Sequence, residues 1–320
     1  MNSAKLSQIL ICGSGRWAKE YLKILTDLKI PNLNIFIYTL NTLSLTHEWL
    51  KENPLKKNVF FISDLASIDN EKIDACFVVN SPQDHFKVSK YAISKQIPVL
   101  IEKPVATLFQ EIKELSKLAK EFNVPIATSQ IFNFTDYVKK TKSIIKNIKG
   151  MQSIDVCWED PLQETRYGEV KTSDITISPS QDYLPHILSI LRYLCIKEIK
   201  SYEVLSKESI PGSSNLSLVM NINSITCNIF LDKESLRRKR FFKFTGDNGQ
   251  ILLDFSVNKA EIKQEIDGIR DVFIFSLKEG ALKKMIIKFL ASSSQVTIHE
   301  DIDFSDTYIN YEILHSIIES

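Results

Sequence analysis

Cysteine is scarce and scattered. The five residues Cys12, Cys76, Cys157, Cys195 and Cys227 are spread over 320 positions with no Cys-x-x-Cys. An odd, widely spaced set argues against a disulfide framework and against a zinc site, and so for a reducing compartment. Net charge is nearly absent as well. Forty Lys and Arg against 39 Asp and Glu leave +1, so no global field draws nucleic acid or an acidic membrane. No apolar run approaches the roughly 20 residues that span a bilayer. The opening MNSAKLSQILICG has too short an apolar stretch for a secretory signal and no cleavage site. Internal repeats and low-complexity tracts are also missing. The expectation is a cytoplasmic protein whose partner is a small molecule, with no metal, nucleic acid or membrane.

What is present is a chain long enough for two domains at roughly 150 residues each. The first half alternates strand and helix patterns. Gln8–Cys12, Asn34–Tyr38, Asn58–Ser63, Asp74–Val79, Pro98–Ile101 and Val124–Thr128 read as six short strands. Helical segments between most of them imply right-handed βαβ units and a parallel sheet. Thr107 and Gln110 form a capping-box pattern ahead of the apolar face Ile112, Leu115, Ala119 and Phe122. After about residue 130 the pattern changes. β-rich runs at Gln152–Trp158, Leu216–Ile222, Ile225–Leu231, Arg240–Phe244 and Ile251–Phe255 predict an α+β domain on an open, largely antiparallel sheet. The expected division is 1–128 and 129–320, with a final helix at about 308–318. The basic run Leu236–Arg240 (LRRKR) reads as a solvated strand edge.

Residues 11–18 read ICGSGRWA. Gly13 and Gly15 fit the first two glycines of a GxGxxG/A fingerprint, and Ala18 fits its third small position. The first glycine makes a tight turn, the second admits a pyrophosphate to the backbone, and the third lets helix and strand pack closely. The turn lies where the fingerprint must lie, after the first strand and at the opening of the first helix. A Rossmann-type, dinucleotide-binding first domain follows, with Gly13, Ser14, Gly15, Arg16 and Trp17 as cofactor contacts. The acid expected about 20 residues on, for the ribose of NAD, is missing. After Asn34–Tyr38 the first acid is Glu48, and Thr39, Asn41 and Thr42 occupy the ribose region. With no carboxylate to repel a 2′-phosphate and with Arg16 close by, the cofactor expected is NADP, with NAD as the alternative.

Two further segments make the pattern more specific. NSPQDH (80–85) follows the fourth strand, and IEKP (101–104) follows the fifth. The glycine turn, a Pro-x-x-His loop and a strand-terminal Glu-Lys-Pro in this order resemble the glucose–fructose oxidoreductase, inositol dehydrogenase and MocA (Gfo/Idh/MocA) group. The resemblance covers nearly the whole chain and is strongest through residue 128. It implies an NAD(P)-dependent dehydrogenase or reductase acting on sugars, cyclitols or their derivatives. It also implies a second domain whose open sheet builds a dimer or tetramer. It places Asn80, Ser81, Pro82, His85, Glu102 and Lys103 at the cofactor, and Lys103 at the substrate and nicotinamide too, as a catalytic residue. His85 could alternatively only pin its loop. The group's second motif, Asp-x-x-x-His-x-x-Asp, is met at Asp182 and His186, while Ser189 stands where the aspartate is usual.

Asp182, His186, Ser189 and Tyr193 are spaced 4, 3 and 4 apart and so share one helical face, opposite Leu184, Ile187, Leu188 and Leu191. Pro185 is tolerable if the helix starts close by. His186 is the expected general acid/base, because an imidazole titrates near neutral pH. Asp182 and Ser189 are expected at the substrate, although Asp182 could instead be the N-cap. In Trp158–Glu169 (WEDPLQETRYGE), Arg166 and Tyr167 are candidates for substrate recognition against a plain solvated loop. Asn133 lies near a position that is often arginine or polar in the resembled group. Two other functions stay open: an imine or ketone reductase of secondary metabolism, and a non-catalytic dinucleotide-binding regulator.

Overall fold

The computed structural model describes residues 6–40, 43–53, 58–166, 169–173, 177–209, 214–277, 280–293 and 298–319. The chain divides into two compact units. Unit 1 holds residues 1–131 and 282–308, and unit 2 holds 132–281 and 309–320.

Unit 1 is built on six strands: β1 (Gln8–Cys12), β2 (Asn34–Tyr38), β3 (Asn58–Ile62), β4 (Ala75–Val78), β5 (Val99–Ile101) and β6 (Ile126–Thr128). Every pair is parallel, in the order β3-β2-β1-β4-β5-β6. β1 and β4 are almost entirely apolar and buried, as strands covered on both faces must be. The helices between strands are α1 (Arg16–Asp27), α2 (Leu43–Glu52), α3 (Pro82–Ser94) and α4 (Phe109–Glu121). α1 buries Ala18, Tyr21, Leu22 and Leu25, the face its spacing predicts. α4 starts one residue later than its expected capping box. Leu108 is the cap residue, and the Glu111 carboxylate accepts from the Leu108 N–H at 3.2 Å and from the Thr107 hydroxyl at 3.4 Å. A carboxylate at the third helical position serves those open N–H groups better than Gln110 one residue earlier. Chain order reverses between β1 and β4, the point at which open α/β sheets place their ligands.

Unit 2 opens with α5 (Asp136–Ile145), β7 (Ser153–Glu159), a small hairpin of β8 (Gln163–Arg166) and β9 (Glu169–Thr172), and α6 (Pro179–Leu194). It continues with β10 (Tyr202–Glu208), β11 (Asn215–Ile222), β12 (Ile225–Asp232), β13 (Lys239–Gly246), β14 (Gly249–Asp254), β15 (Lys259–Ile266) and β16 (Ile269–Ser276). Eight of these strands form one sheet, β10-β11-β12-β7-β13-β14-β15-β16, antiparallel except where β7 meets β12. β10, β15, β16 and the hairpin are additions to the strands legible in sequence. Their polar alternation, as in Lys259–Ile266 (KAEIKQEI), carries little apolar signal. α5 and α6 cover the face formed by residues such as Leu218, Met220, Ile229 and Leu231.

The late segment 282–308 belongs to unit 1, a return that no local pattern announces. It carries most of α7 (Ala281–Ser293) and the start of α8 (Phe304–Glu319). Phe289 is fully buried, and its ring meets the Phe77 ring of β4 edge-on at 5.3 Å. Thr307 donates to Thr128 at 2.9 Å beside the buried Gln130. We expect Phe289→Ala to cost about 3–5 kcal/mol in chemical denaturation, as for other buried aromatics. A loss below about 1 kcal/mol, the size of an ordinary surface change, would mean that α7 is peripheral to this core.

Candidate functional site

In unit 1 the glycine turn joins β1 to α1. Gly13 has φ +129°, and a Cβ there would lie 2.8 Å from the Asn80 backbone nitrogen. Only glycine suits both that conformation and that approach. Ser14 is buried, and its hydroxyl pairs with that of Thr39 at 2.7 Å, tying the turn to the end of β2. Gly15 is the N-cap of α1 and supplies no side-chain acceptor, and the first turn carries no acid. A Cβ on Gly15 would meet no protein atom within 4 Å. Arg16 and Trp17 begin the helix and are exposed. Asn41, expected at the ribose, lies outside the described residues.

The two loops after β4 and β5 are joined by a histidine. His85 is buried in the first turn of α3, whose N-cap is Ser81 and whose first residue is Pro82. Its Nδ1 lies 2.7 Å from the Pro104 carbonyl oxygen and its Nε2 lies 3.1 Å from that of Asn80. Carbonyl oxygens only accept, so a neutral ring satisfies one of them, and the distances assign the proton to Nδ1. Burial pushes the imidazole below its usual range, and the two carbonyls pull the other way. This geometry is that of a pin between NSPQDH and IEKP. Glu102 is buried too. Its carboxylate accepts from the Tyr21 hydroxyl at 2.6 Å. Burial raises the carboxyl above the ordinary range against the Tyr21, Ser129 and Lys103 donors, which lower it. Lys103 follows, half-buried, with a cis peptide to Pro104.

In unit 2 the motif helix α6 begins earlier than expected. Ser178 is the N-cap and forms a capping box with Gln181. Asp182 is therefore four residues inside the helix rather than its cap. Pro185 sits in the interior, where its ring nitrogen offers no N–H to the preceding turn. Ile187 through Arg192 are all buried, so Ser189 is enclosed while Asp182 and His186 stay partly exposed. The His186 ring stacks on Trp158 at 5.9 Å and 9°, and meets Phe132 edge-on at 5.1 Å. Asn133, beside Phe132, is buried in a short turn. Arg166 ends β8, and Tyr167 lies outside the described residues.

Three cations complete this half: Lys233, to which the sequence reading gives no role, and Arg238 and Arg240 of the run expected as a solvated edge. Lys233 is 1% exposed and lies 3.0 Å from Asp182 Oδ2. Arg240 donates its Nε to Asp160 Oδ1 at 2.9 Å, pairs also through Nη2 with Oδ2, and covers the Trp158 ring at 4.5 Å. Arg238 approaches the same carboxylate. The LRRKR run is thus not a solvated edge: two of its cations turn in to neutralise buried Asp160. Burial raises the Tyr183 phenol well above its usual range, as do Asp160 and Asp182, with Arg240 opposing. A signal existed. Asp160 continues the buried phase Ile154, Val156, Trp158; Lys233 continues Cys227, Ile229, Leu231; Arg240 precedes Phe242 and Phe244 in phase.

Residues 7–129 match the model of an oxidoreductase family with an NAD-binding Rossmann fold. No curated protein matches the sequence. Solved structures share the fold along the chain. A UDP-N-acetylglucosamine 3-dehydrogenase from Acidithiobacillus ferrooxidans is 15% identical over 97% of this chain and 96% of its own, with a TM-score of 0.77. A 3-ketoreductase from Actinomadura kijaniata, in complex with TDP-benzene and NADP, is 12% identical over 97% and 96%, with a TM-score of 0.76. An oxidoreductase from Agrobacterium radiobacter, in complex with NAD+, L-tartaric acid and magnesium, is 12% identical over 98% and 96%, also at 0.76.

The residues of unit 1 fit a dinucleotide. Gly15 leaves open space beside the α1 N-terminus, and Asn80 Oδ1 is buried with no hydrogen-bond partner among the described residues. The two glycines then separate fold from ligand. Gly15→Ala should leave the melting temperature unchanged while weakening NADPH and NADH binding by about tenfold or more, roughly 1.4 kcal/mol. Gly13→Ala should lower the melting temperature as well. Unaltered cofactor affinity in Gly15→Ala would remove that glycine from the binding surface.

Proposed function

Because residues 7–129 belong to the oxidoreductase family with an NAD-binding Rossmann fold, we propose that this protein moves a hydride between a nicotinamide dinucleotide and the carbonyl or alcohol carbon of a small polar substrate. The observation that carries this is the His85 pin between NSPQDH and IEKP, the segment that carries Lys103, in the same unit as the glycine turn. The substrate class is a sugar, a cyclitol or a derivative of one. Bound dinucleotide supplies or takes up the hydride. Gly13, Ser14, Gly15, Arg16 and Trp17 hold its phosphates, and Thr39 its ribose. Asn80, Ser81, Pro82 and Glu102 shape the loops at its other end.

Lys103 donates a hydrogen bond to the substrate oxygen and stabilises the negative charge that gathers there during reduction. His186 exchanges the proton of that oxygen, as general base in oxidation and general acid in reduction. Its aromatic neighbours Trp158 and Phe132 fix the ring plane. Asp182 and Asn133, with Arg166 and Tyr167 as further candidates, orient the rest of the substrate. Buried Ser189, in place of a carboxylate, removes one charge from that surface. This favours a second reading in which the substrate is a ketone or imine with fewer hydroxyls.

The cofactor preference is for NADP. No acid follows β2 before Glu48, and the exposed Arg16 begins α1. Oligomerisation is assigned to the open face of the eight-stranded sheet. There Phe230, Cys157, Phe241, Asp254, Glu261 and Ile274 form one cross-strand row, and Ile274 is 62% exposed. A second copy is the expected cover. A dimer or tetramer should appear in sedimentation, and a single monomeric species would overturn that assignment. No helix among the described residues is long and apolar enough to cross a membrane.

One panel tests the chemistry. Sugars, cyclitols, nucleotide sugars, ketones and imines are each assayed by nicotinamide absorbance with both cofactors. Turnover is expected on one class, with NADPH bound about tenfold more tightly than NADH. Lys103→Ala and His186→Ala should each lose about a hundredfold or more in kcat with cofactor binding retained. Full activity in either variant removes that residue from the mechanism. Equal or tighter NADH binding overturns the NADP preference. Cofactor binding without any turnover would point instead to a dinucleotide-sensing regulator.

A further inference from the structure

Lys233 is the one buried lysine among the described residues, and none of the roles above uses it. Its Nζ lies 3.0 Å from Asp182 Oδ2 and donates to the Ile177 carbonyl at 2.9 Å. Its backbone N–H donates to the Ser214 carbonyl at 3.0 Å, which anchors the residue just past β12. The Asp182 side chain is 22% exposed, so the pair has one dry end and one wet end. The next residue, Tyr183, shares Asp160 with Arg240. The first turns of α6 are thus held by the Lys233–Asp182 ion pair and, through Tyr183, by the Asp160–Arg240 pair, and His186 follows one turn after Asp182.

An ammonium this enclosed is costly to bury, and an ion pair replaced by apolar side chains often leaves a protein no less stable. Stability alone therefore gives little reason for a lysine at this place. Its effect on Asp182 gives a better one. A carboxylate that already holds a cation keeps its charge and is a weak proton acceptor. It remains a good acceptor of hydrogen bonds from hydroxyl groups.

We propose that Lys233 is a positioning residue for substrate binding: it fixes Asp182 as a charged acceptor for a substrate hydroxyl and keeps it out of proton transfer, which falls to His186. This rests on the roles given above to Asp182 and His186.

The test compares Lys233→Met, Lys233→Arg and Asp182→Asn with the wild type, on the best substrate of the panel above. Lys233→Met is expected to raise KM by about tenfold or more with kcat within about threefold, and Lys233→Arg to recover most of that loss. Adding Asp182→Asn to Lys233→Met should cost nothing further, as for two groups acting as one unit. An unchanged KM in Lys233→Met, or a double variant whose losses multiply, overturns the proposal. If Lys233→Met does not fold, the other two variants decide. A raised KM and preserved kcat in Asp182→Asn, with Lys233→Arg near wild type, supports it; a kcat loss of about a hundredfold in Asp182→Asn marks that residue as the proton acceptor and overturns it. A wild type that binds dinucleotide yet turns over nothing in the panel fails the functional reading alone. The crystal structure of Lys233→Met then decides: an Asp182 carboxylate swung from its place supports the positioning role, and an unmoved one overturns it.

Discussion

No room exists for a side chain between Gly13 and the backbone of Asn80. That single close approach holds the end of β1 against the end of β4, where the strand order of unit 1 reverses. Much of the surface proposed for the cofactor depends on it. The turn leaves Gly15 and the α1 N-terminus open toward solvent, and the Asn80 carbonyl oxygen lies 3.1 Å from His85 Nε2. His85 in turn reaches the Pro104 carbonyl, so the loop after β4 and the loop carrying Lys103 are set by one buried ring. Three segments far apart in sequence are placed by a steric contact and one buried imidazole ring.

Unit 2 solves a different problem. Its sheet buries one face under α5 and α6, and near α6 that face carries charge. Asp160, Arg240 and Lys233 lie in the phase where apolar residues would ordinarily stand, and each is neutralised by an opposite charge. Trp158 sits among them, with the Arg240 guanidinium over its ring and His186 stacked on it. A polar surface supported from beneath by paired charges is rigid, because releasing one partner would strand the other without water. Such rigidity suits the substrate-orienting role proposed for Asp182.

The first unit was legible because its signals are local. Short apolar runs mark strands, glycines at fixed offsets mark the turn, and NSPQDH and IEKP sit immediately after their strands. The second unit was less so. β10, β15 and β16 alternate polar and weakly apolar residues and gain their identity from neighbours across the sheet. The alternative of Asp182 as the N-cap of α6 fails because Ser178 with Gln181 closes the capping box four residues earlier. LRRKR looked solvated because charge runs usually are. Extending the strand alternation by one step at Asp160, Lys233 and Arg240 would have flagged all three.

The sequence by itself determined the parallel six-stranded half, its dinucleotide turn and the helix that carries Asp182 and His186, since each is written in spacing within about twenty residues. Tertiary structure decided what those residues touch. The return of 282–308 to the first unit, the pin from His85 to Pro104 and the Lys233–Asp182 pair join positions many residues apart. Such pairings follow from how strands align and helices pack, and alternation within a single segment does not encode them.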